Sequence, residues 1–166
     1  MDFGWIKKRK IIANFSGGDI TSDSGILLIK NVDKKIKLTE KISKMLNDPR
    51  LKSKCTHSVL SMLRQLVYGI VQGYEDLNDH QKTRIDKLIQ AAVGYDKLLA
   101  SPPSLCRFEN WITRESLVQM SEVLVENFIK SYSKAPKELI LDFDGTDDQV
   151  HGKQIGGFFN GYYHHK

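Results

Sequence analysis

The sequence changes pattern at residues 134–137, where helical periodicity gives way to a strand-like segment. Upstream, apolar residues recur every three or four positions, as they do on one face of an α-helix. Downstream, the apolar run at 139–141 leads directly into several carboxylates. The pattern predicts an α/β protein overall, with a mainly helical N-terminal region at 1–133 that includes a short strand at 11–15, followed by the start of an α/β unit at 138–166. The clearest helical stripe consists of Val59, Leu63, Leu66 and Ile70.

Start and stop signals place further helices within the first region. Ser22 or Asp23 is a candidate N-cap for the first helix, and Asp48-Pro49 ends the second because proline has no amide donor. Gly94 sits where a left-handed residue would terminate a helix. The last helix of this region carries Leu117, Met120, Leu124 and Phe128 at helical steps.

Composition excludes several classes of protein. With 40% hydrophobic and 27% charged residues, the chain has the make-up of a soluble globular protein. No apolar run approaches the roughly 20 residues that span a bilayer, and the first residues lack the apolar stretch of a signal peptide. Cys55 and Cys106 match no metal-binding spacing and are expected to be reduced thiols. We therefore expect a cytoplasmic protein with no membrane segment.

Positive charge is concentrated in the first part of the chain. Residues 1–60 carry 13 Lys or Arg against 6 Asp or Glu, whereas the rest of the chain is slightly acidic. Such a basic region suits a polyanion such as DNA, because neutralised phosphates release counterions. A lysine-rich composition with solvated helix faces explains the same numbers, so charge alone leaves both interpretations open.

The carboxylates that follow the apolar run form the candidate catalytic centre. Alternate residues of a strand share a face, so Asp142 and Asp144 are expected to point the same way. Carboxyl ends of strands in open α/β sheets are where ligands bind. Clustered carboxylates favour Mg²⁺, and two such ions can activate an attacking oxygen and stabilise a leaving one. The segment also has the composition of a turn or helix cap, which is the alternative interpretation.

Two known families share this segment. The run Asp142-x-Asp144-Gly145-Thr146 after three apolar residues resembles the first motif of haloacid-dehalogenase-type phosphatases. That resemblance implies Asp142 as nucleophile and Asp144 as proton donor. This resemblance covers only eight residues. In that family the motif stands at the start of the catalytic domain, whereas here only 18 residues follow Asp148.

A longer resemblance covers residues 15–166. The chain resembles the DDE transposases of bacterial insertion sequences, in the subgroup described as transposase DDE domain, group one. Four landmarks in order carry it: residues 21–25 (Thr-Ser-Asp-Ser-Gly), 73–80 (Gly-Tyr-Glu-Asp-Leu-Asn-Asp-His), 104–110 (Ser-Leu-Cys-Arg-Phe-Glu-Asn) and 141–163, which begins Leu-Asp-Phe-Asp-Gly-Thr and ends Gly-Tyr-Tyr.

This resemblance implies a ribonuclease-H-like core preceded by a helical region that holds double-stranded transposon-end DNA. Two aspartates and one glutamate would bind two Mg²⁺ for DNA cleavage and strand transfer. Asp144 matches the first aspartate and Asp142 is second choice, with Asp147 and Asp148 expected in turn or cap roles. The second aspartate and the glutamate are expected beyond residue 166, so the core is expected to be truncated and inactive alone. A homodimer is also implied, and no small-molecule substrate.

Other residues are candidates for DNA contacts. Arg107 follows a Pro-Pro break on a short helix and is placed to reach a phosphate, although an exposed arginine needs no ligand. Lys7, Lys8, Arg9 and Lys10 suit either an arm over the DNA backbone or a solvated terminus. His57 and His80 are expected in helix-start, loop or cap positions. A non-enzymatic DNA-binding module is the third functional hypothesis.

Overall fold

The computed structural model describes residues 2–6, 9–12, 17–18, 21–143 and 157–164, with side chains described from residue 17 onward. The chain divides into two compact units, Met1–Ser131 and Tyr132–Lys166. The described residues are mainly helical, as predicted for the first region. No helix among them is long and apolar enough to cross a membrane.

An antiparallel strand pair opens the chain. Strands β1 (Asp2–Ile6) and β2 (Arg9–Ile12) pair with Trp5 opposite Lys10 and Ile6 opposite Arg9. The register is irregular between Asp2 and Trp5. The strand predicted at 11–15 is confirmed at residues 11 and 12, and it begins two residues earlier, where β1 supplies its hydrogen-bonding partner. Residues 13–15 lie outside the described residues.

Seven helices follow among the described residues, with 3₁₀ turns at Lys52–Lys54 and Leu77–Asp79. Sequence periodicity predicted their main positions, because each longer helix carries an apolar stripe. They are α1 (Ile26–Ile36), α2 (Leu38–Met45), α3 (Val59–Val71), α4 (His80–Thr83), α5 (Lys87–Val93), α6 (Pro102–Asn110) and α7 (Arg114–Ser131).

Local capping explains several helix ends. The Ser58 hydroxyl accepts a hydrogen bond from the Ser61 amide at 3.1 Å and starts α3. Gly94 ends α5 with φ of 89°, as the sequence predicted. The prediction for α1 was wrong, because Gly25 occupies its N-cap and no side chain in the described part of the chain caps it. The Asp23 carboxylate instead accepts a hydrogen bond from the Tyr74 hydroxyl at 2.9 Å.

Helix α3 is central to the helical unit because it contributes to both hydrophobic clusters. Met62 and Leu63 belong to the first cluster, whereas Tyr68 belongs to the second. The first cluster joins α3 to α2, α6 and α7, and its other members are Ile42, Ala100, Leu105, Phe108 and Val123. The second joins α3 to α1 and α5, and its other members are Ile26, Ile89, Ala92, Val93 and Leu99.

A buried carboxylate links the first three helices. Asp33 of α1 is 7% exposed and accepts hydrogen bonds from the Tyr68 hydroxyl at 2.8 Å and the Thr39 amide at 2.9 Å. The Thr39 hydroxyl donates to the same carboxylate. Arg64 Nε lies 3.7 Å from it. Burial, with Asp33 as hydrogen-bond partner, raises the pKa of Tyr68. The Lys37 side chain at the N-cap position of α2 makes no capping hydrogen bond, and the Asp33 carboxylate caps this helix end instead.

Helix α7 packs through a face other than the one its stripe suggested. Val123 is the buried residue of this helix, and Met120 packs against the first cluster. Leu117, Leu124 and Phe128, which were expected to share a face with Met120, are 46–56% exposed. Periodicity identified the helix correctly, but α7 is apolar on two sides, so spacing alone does not select the packed side.

The second unit is described only in part. Residues 138–143 are not assigned to a strand, although a strand was predicted at 138–144. A strand is defined by hydrogen bonds to a neighbour, and no neighbouring strand pairs with these residues in the described part of the unit. Ile140 and Phe143 are 90% and 87% exposed. Asp144 and the rest of the carboxylate cluster lie outside the described residues.

Candidate nucleic-acid interface

Arg50 is held in place on three sides. Its Nε and Nη2 donate to the two carboxylate oxygens of Asp48 at 2.8 and 2.9 Å. Its guanidinium lies 5.0 Å from the centre of the Trp111 ring, and Nη1 is 3.8 Å from Met62 Sδ. The ion pair lowers the pKa of Asp48 and raises that of Arg50. This fork-like pairing fixes a charged group between the 46–58 segment and α6.

Two adjoining cavities form a groove beside Arg50, called here the Arg107 groove. The two cavities share Arg50, Met62 and Ser104 as walls. The first has a volume of about 340 Å³ and is completed by Pro49, Arg107, Phe108 and Trp111. The second has a volume of about 370 Å³ and is completed by Leu51, Lys54, Cys55, Thr56 and His57.

A larger cavity, of about 470 Å³, adjoins the Arg107 groove at Phe108 and Trp111. It extends along Met45 of α2 and Gln119 of α7 and has the carboxylate of Glu115 in its wall. Among the described residues, no arginine or lysine lines it. A polyanion would therefore be attracted to the Arg107 groove rather than to this cavity.

Arg107 lies on the exposed side of α6, within the wall of the Arg107 groove. Its Nη2 is 3.3 Å from the Ser104 hydroxyl, one turn earlier on the same helix. Glu109 is two residues further along, about 200° around the helix, so its carboxylate is on another side of α6. The Arg107 guanidinium is thus accessible to a ligand, and its contact with DNA stays a prediction.

His57 stands at the other end of the Arg107 groove. Its ring centre is 5.3 Å from that of Tyr95, with the ring planes tilted by 59°. Burial lowers the pKa of His57, and the nearby positive charges of Arg84 and Arg50 lower it further. The imidazole is therefore neutral at pH 7. The positive charges in the groove walls come from Arg50, Arg107 and Lys54.

A buried glutamine anchors the segment that leads into α6. Gln65 of α3 is 2% exposed, and its Nε2 donates to the Ala100 carbonyl at 3.0 Å. The Ala100 amide donates back to Gln65 Oε1 at 3.0 Å. This reciprocal pair satisfies both backbone groups of Ala100, as a strand neighbour would. It fixes the backbone immediately before the helix that carries Ser104 and Arg107.

His80 has a structural position beside this anchor. It is 2% exposed, and its Nδ1 lies 3.5 Å from Gln65 Nε2 and 3.4 Å from the Thr83 hydroxyl. Burial lowers the pKa of His80, which keeps the ring neutral. A Cβ on Gly69 would come within 2.8 Å of His80 Cε1, so this glycine makes room for the imidazole. The expected cap or loop role of His80 is thus a packing role at the start of α4.

The remaining predicted site residues do not join the Arg107 groove in the described structure. Arg9 and Lys10 lie in β2, whereas Lys7 and Lys8 lie outside the described residues. Asp142 is exposed in the second unit. Among the described residues, no group of three or more His, Cys, Asp or Glu is placed to hold a metal ion. Asp144 is not described, so its predicted role stays a prediction.

The sequence did not predict that Arg50, Lys54 and His57 line the groove. Two signals were available for them. Asp48 and Arg50 are two residues apart around a proline, a spacing at which a carboxylate and a guanidinium can pair within one turn. Basic residues then recur at alternate positions through Lys54. Neither signal shows that α6 lies beside this segment, because that contact joins residues more than 40 positions apart.

Two landmarks of the resemblance meet in the structure. Asp23, from residues 21–25, accepts a hydrogen bond from Tyr74, from residues 73–80. The Gln72 side-chain nitrogen donates to the Asp23 carbonyl at 3.3 Å, which strengthens the same connection. A third landmark, residues 104–110, forms most of α6. These motifs therefore occupy defined places in the helical unit.

Comparison with known proteins identifies the family. No curated protein and no solved structure matches the chain. The family model described as "Transposase DDE domain group 1" matches residues 3–166, which is nearly the whole chain. The match spans both units and confirms the resemblance drawn from the four landmarks. The chain belongs to the group 1 family of DDE transposase domains.

Proposed function

We propose that this protein acts in DNA transposition, binding double-stranded DNA at insertion-sequence ends and supporting Mg²⁺-dependent cleavage and strand transfer. The family match over residues 3–166 carries the proposal. The basic first part of the chain and the Arg107 groove support the DNA-binding part of it, because phosphates attract such surfaces. The protein would act in the bacterial cytoplasm, on nucleoid DNA.

The catalytic part of the proposal rests on residues 138–166, as the beginning of a ribonuclease-H-like core. Asp144 is the proposed first metal ligand and Asp142 the second choice. Asp142 is exposed, and carboxylate oxygens are the donors that Mg²⁺ prefers, so the donor chemistry fits. Bound Mg²⁺ would supply charge stabilisation at the reacting phosphate. The aspartates would hold and orient the ions, with further ligands required to complete the family site.

Two alternatives are distinguishable by experiment. A haloacid-dehalogenase-type phosphatase would use Asp142 as nucleophile, but that resemblance covers eight residues, whereas the transposase family covers nearly the whole chain. A non-enzymatic DNA-binding module would retain the groove and lack cleavage. Both alternatives predict no strand transfer, and they differ in whether DNA is bound at all.

The first prediction tests the proposed function with the full-length gene product and duplexes carrying the terminal repeats that flank its gene. We expect binding of these duplexes and nicking at the repeat boundary with Mg²⁺, and no nicking when EDTA removes the metal. Gel shifts measure binding, and denaturing gels measure cleavage. Binding without Mg²⁺-dependent nicking would favour the binding module. Hydrolysis of a simple phosphate ester without DNA binding would favour the phosphatase.

We also propose that the protein forms a homodimer through the outer side of α7. Leu117, Val118, Leu124, Val125 and Ile129 are 53–63% exposed and lie on the side of the helix away from Val123. A helix of 18 residues with an apolar outer side offers a second copy the same surface in a two-fold arrangement. A standard interface buries about 800 Å² per partner, so residues flanking this side would take part as well.

The second prediction concerns this α7 surface. The double substitution Leu124→Glu with Val125→Glu is expected to convert a dimer into a monomer, because it places charges in the apolar contact. Light scattering coupled to size exclusion measures the mass. Glu75→Gln, at an exposed position outside α7, is the control and should leave the dimer intact. A wild-type protein that is monomeric at micromolar concentration, or a dimer that survives the double substitution, would contradict the proposal.

A further inference from the structure

We propose that the Arg107 groove is the track for a phosphodiester strand of duplex DNA, with Arg107 and Lys54 contacting the phosphates. This inference rests on the proposed function and assigns the DNA-binding surface to specific residues. The groove runs from Arg107 on α6 to Lys54 and His57 in the segment before α3. No feature of the family match assigns these residues to DNA.

Charge distribution supports an anionic ligand. The residues that line the Arg107 groove include Arg50, Lys54 and Arg107, and in the part of the chain that the structure describes no Asp or Glu is among them. Asp48 stands next to the groove, but both of its oxygens are engaged by Arg50. Within the described residues, no salt bridge involves Arg107 or Lys54. Two cations are therefore available to a ligand while the third is already neutralised.

The parts of the groove have different roles. Arg50 is a positioning residue, because its pairing with Asp48 and its place over Trp111 hold the groove floor. Ser104 lines both cavities and offers a hydroxyl where they join. Arg107 lines one cavity and Lys54 the other, so the two cations are spread along the groove. Such spacing suits the repeated charges of a DNA strand better than one isolated anion.

The third prediction tests this assignment in the full-length protein. The double substitution Arg107→Ala with Lys54→Ala is expected to weaken binding of a mixed-sequence duplex of about 30 base pairs by roughly tenfold or more at moderate salt. The plot of log affinity against log salt should become less steep by about two, because each substitution removes one cation that neutralises a phosphate. Fluorescence anisotropy across a salt series measures both quantities.

The matched control is Lys34→Ala with Lys35→Ala, which removes the same charge from exposed positions on α1. It should retain most of the affinity and slope of the wild type. Thermal melting checks that both variants fold. Equal decreases in affinity in the two variants would overturn the groove assignment while leaving DNA binding intact. If the wild type does not bind duplex DNA at all, the proposed function fails together with this inference.

Discussion

Asp144→Asn is expected to abolish Mg²⁺-dependent DNA cleavage by the full-length protein while leaving duplex binding unchanged. Asparagine has nearly the same shape but lacks the negative charge that holds a divalent cation. Removing several kcal/mol of charge stabilisation corresponds to a rate decrease of about 10³-fold. Single-turnover cleavage of a terminal-repeat duplex measures the rate, and anisotropy measures the binding.

Two further substitutions make this result interpretable. Asp147→Asn is the matched control, because Asp147 belongs to the same acidic segment but is expected in a turn or cap role. It should retain most of the activity. Asp142→Asn distinguishes the two families. In a phosphatase, Asp142 would be the nucleophile, and its replacement would abolish phosphate-ester hydrolysis. In a transposase, Asp142 is the second-choice ligand, so its replacement should reduce DNA cleavage less than Asp144→Asn does. Full activity of the Asp144→Asn protein would exclude Asp144 as a metal ligand.

The helical part of the fold was predictable because its signals are local. Apolar residues at helical spacing located α3, and glycine at a left-handed position located the end of α5. Both signals depend on residues within a few positions of one another. The family was predictable for a different reason, since its four landmarks lie in a fixed order along the chain.

Contacts between distant residues were not predictable in this way. Asp33 stands in a lysine-rich stretch that suggests an exposed position, yet Tyr68, 35 residues later, makes it a buried acceptor. One signal existed, because Asp33 is seven residues after Ile26 and therefore on the same side of α1. The Arg107 groove likewise needs α6 to lie beside the segment around Arg50. Hydrophobic spacing does not specify which helix faces which.

The final prediction concerns the buried carboxylate of Asp33. Asp33→Ala is expected to lower the free energy of unfolding of the helical unit by about 3–5 kcal/mol, because it leaves several buried partners unsatisfied. The Tyr68 hydroxyl and the Thr39 amide lose their acceptor, and Arg64 loses its nearby negative charge. A decrease of this size lowers the melting temperature by roughly 10–20 °C. Thermal and urea unfolding followed by circular dichroism measure the change.

Asp86→Ala is the matched control for Asp33→Ala. Asp86 accepts hydrogen bonds from two backbone amides, those of Leu88 and Ile89, but it does so as the N-cap of α5. Its replacement should therefore cost only about 1 kcal/mol, the usual value for a helix cap. Tyr68→Phe removes one of the Asp33 bonds and should fall between the two. If Asp33→Ala is no more destabilising than Asp86→Ala, the carboxylate is not the link between α1, α2 and α3 that its hydrogen bonds indicate.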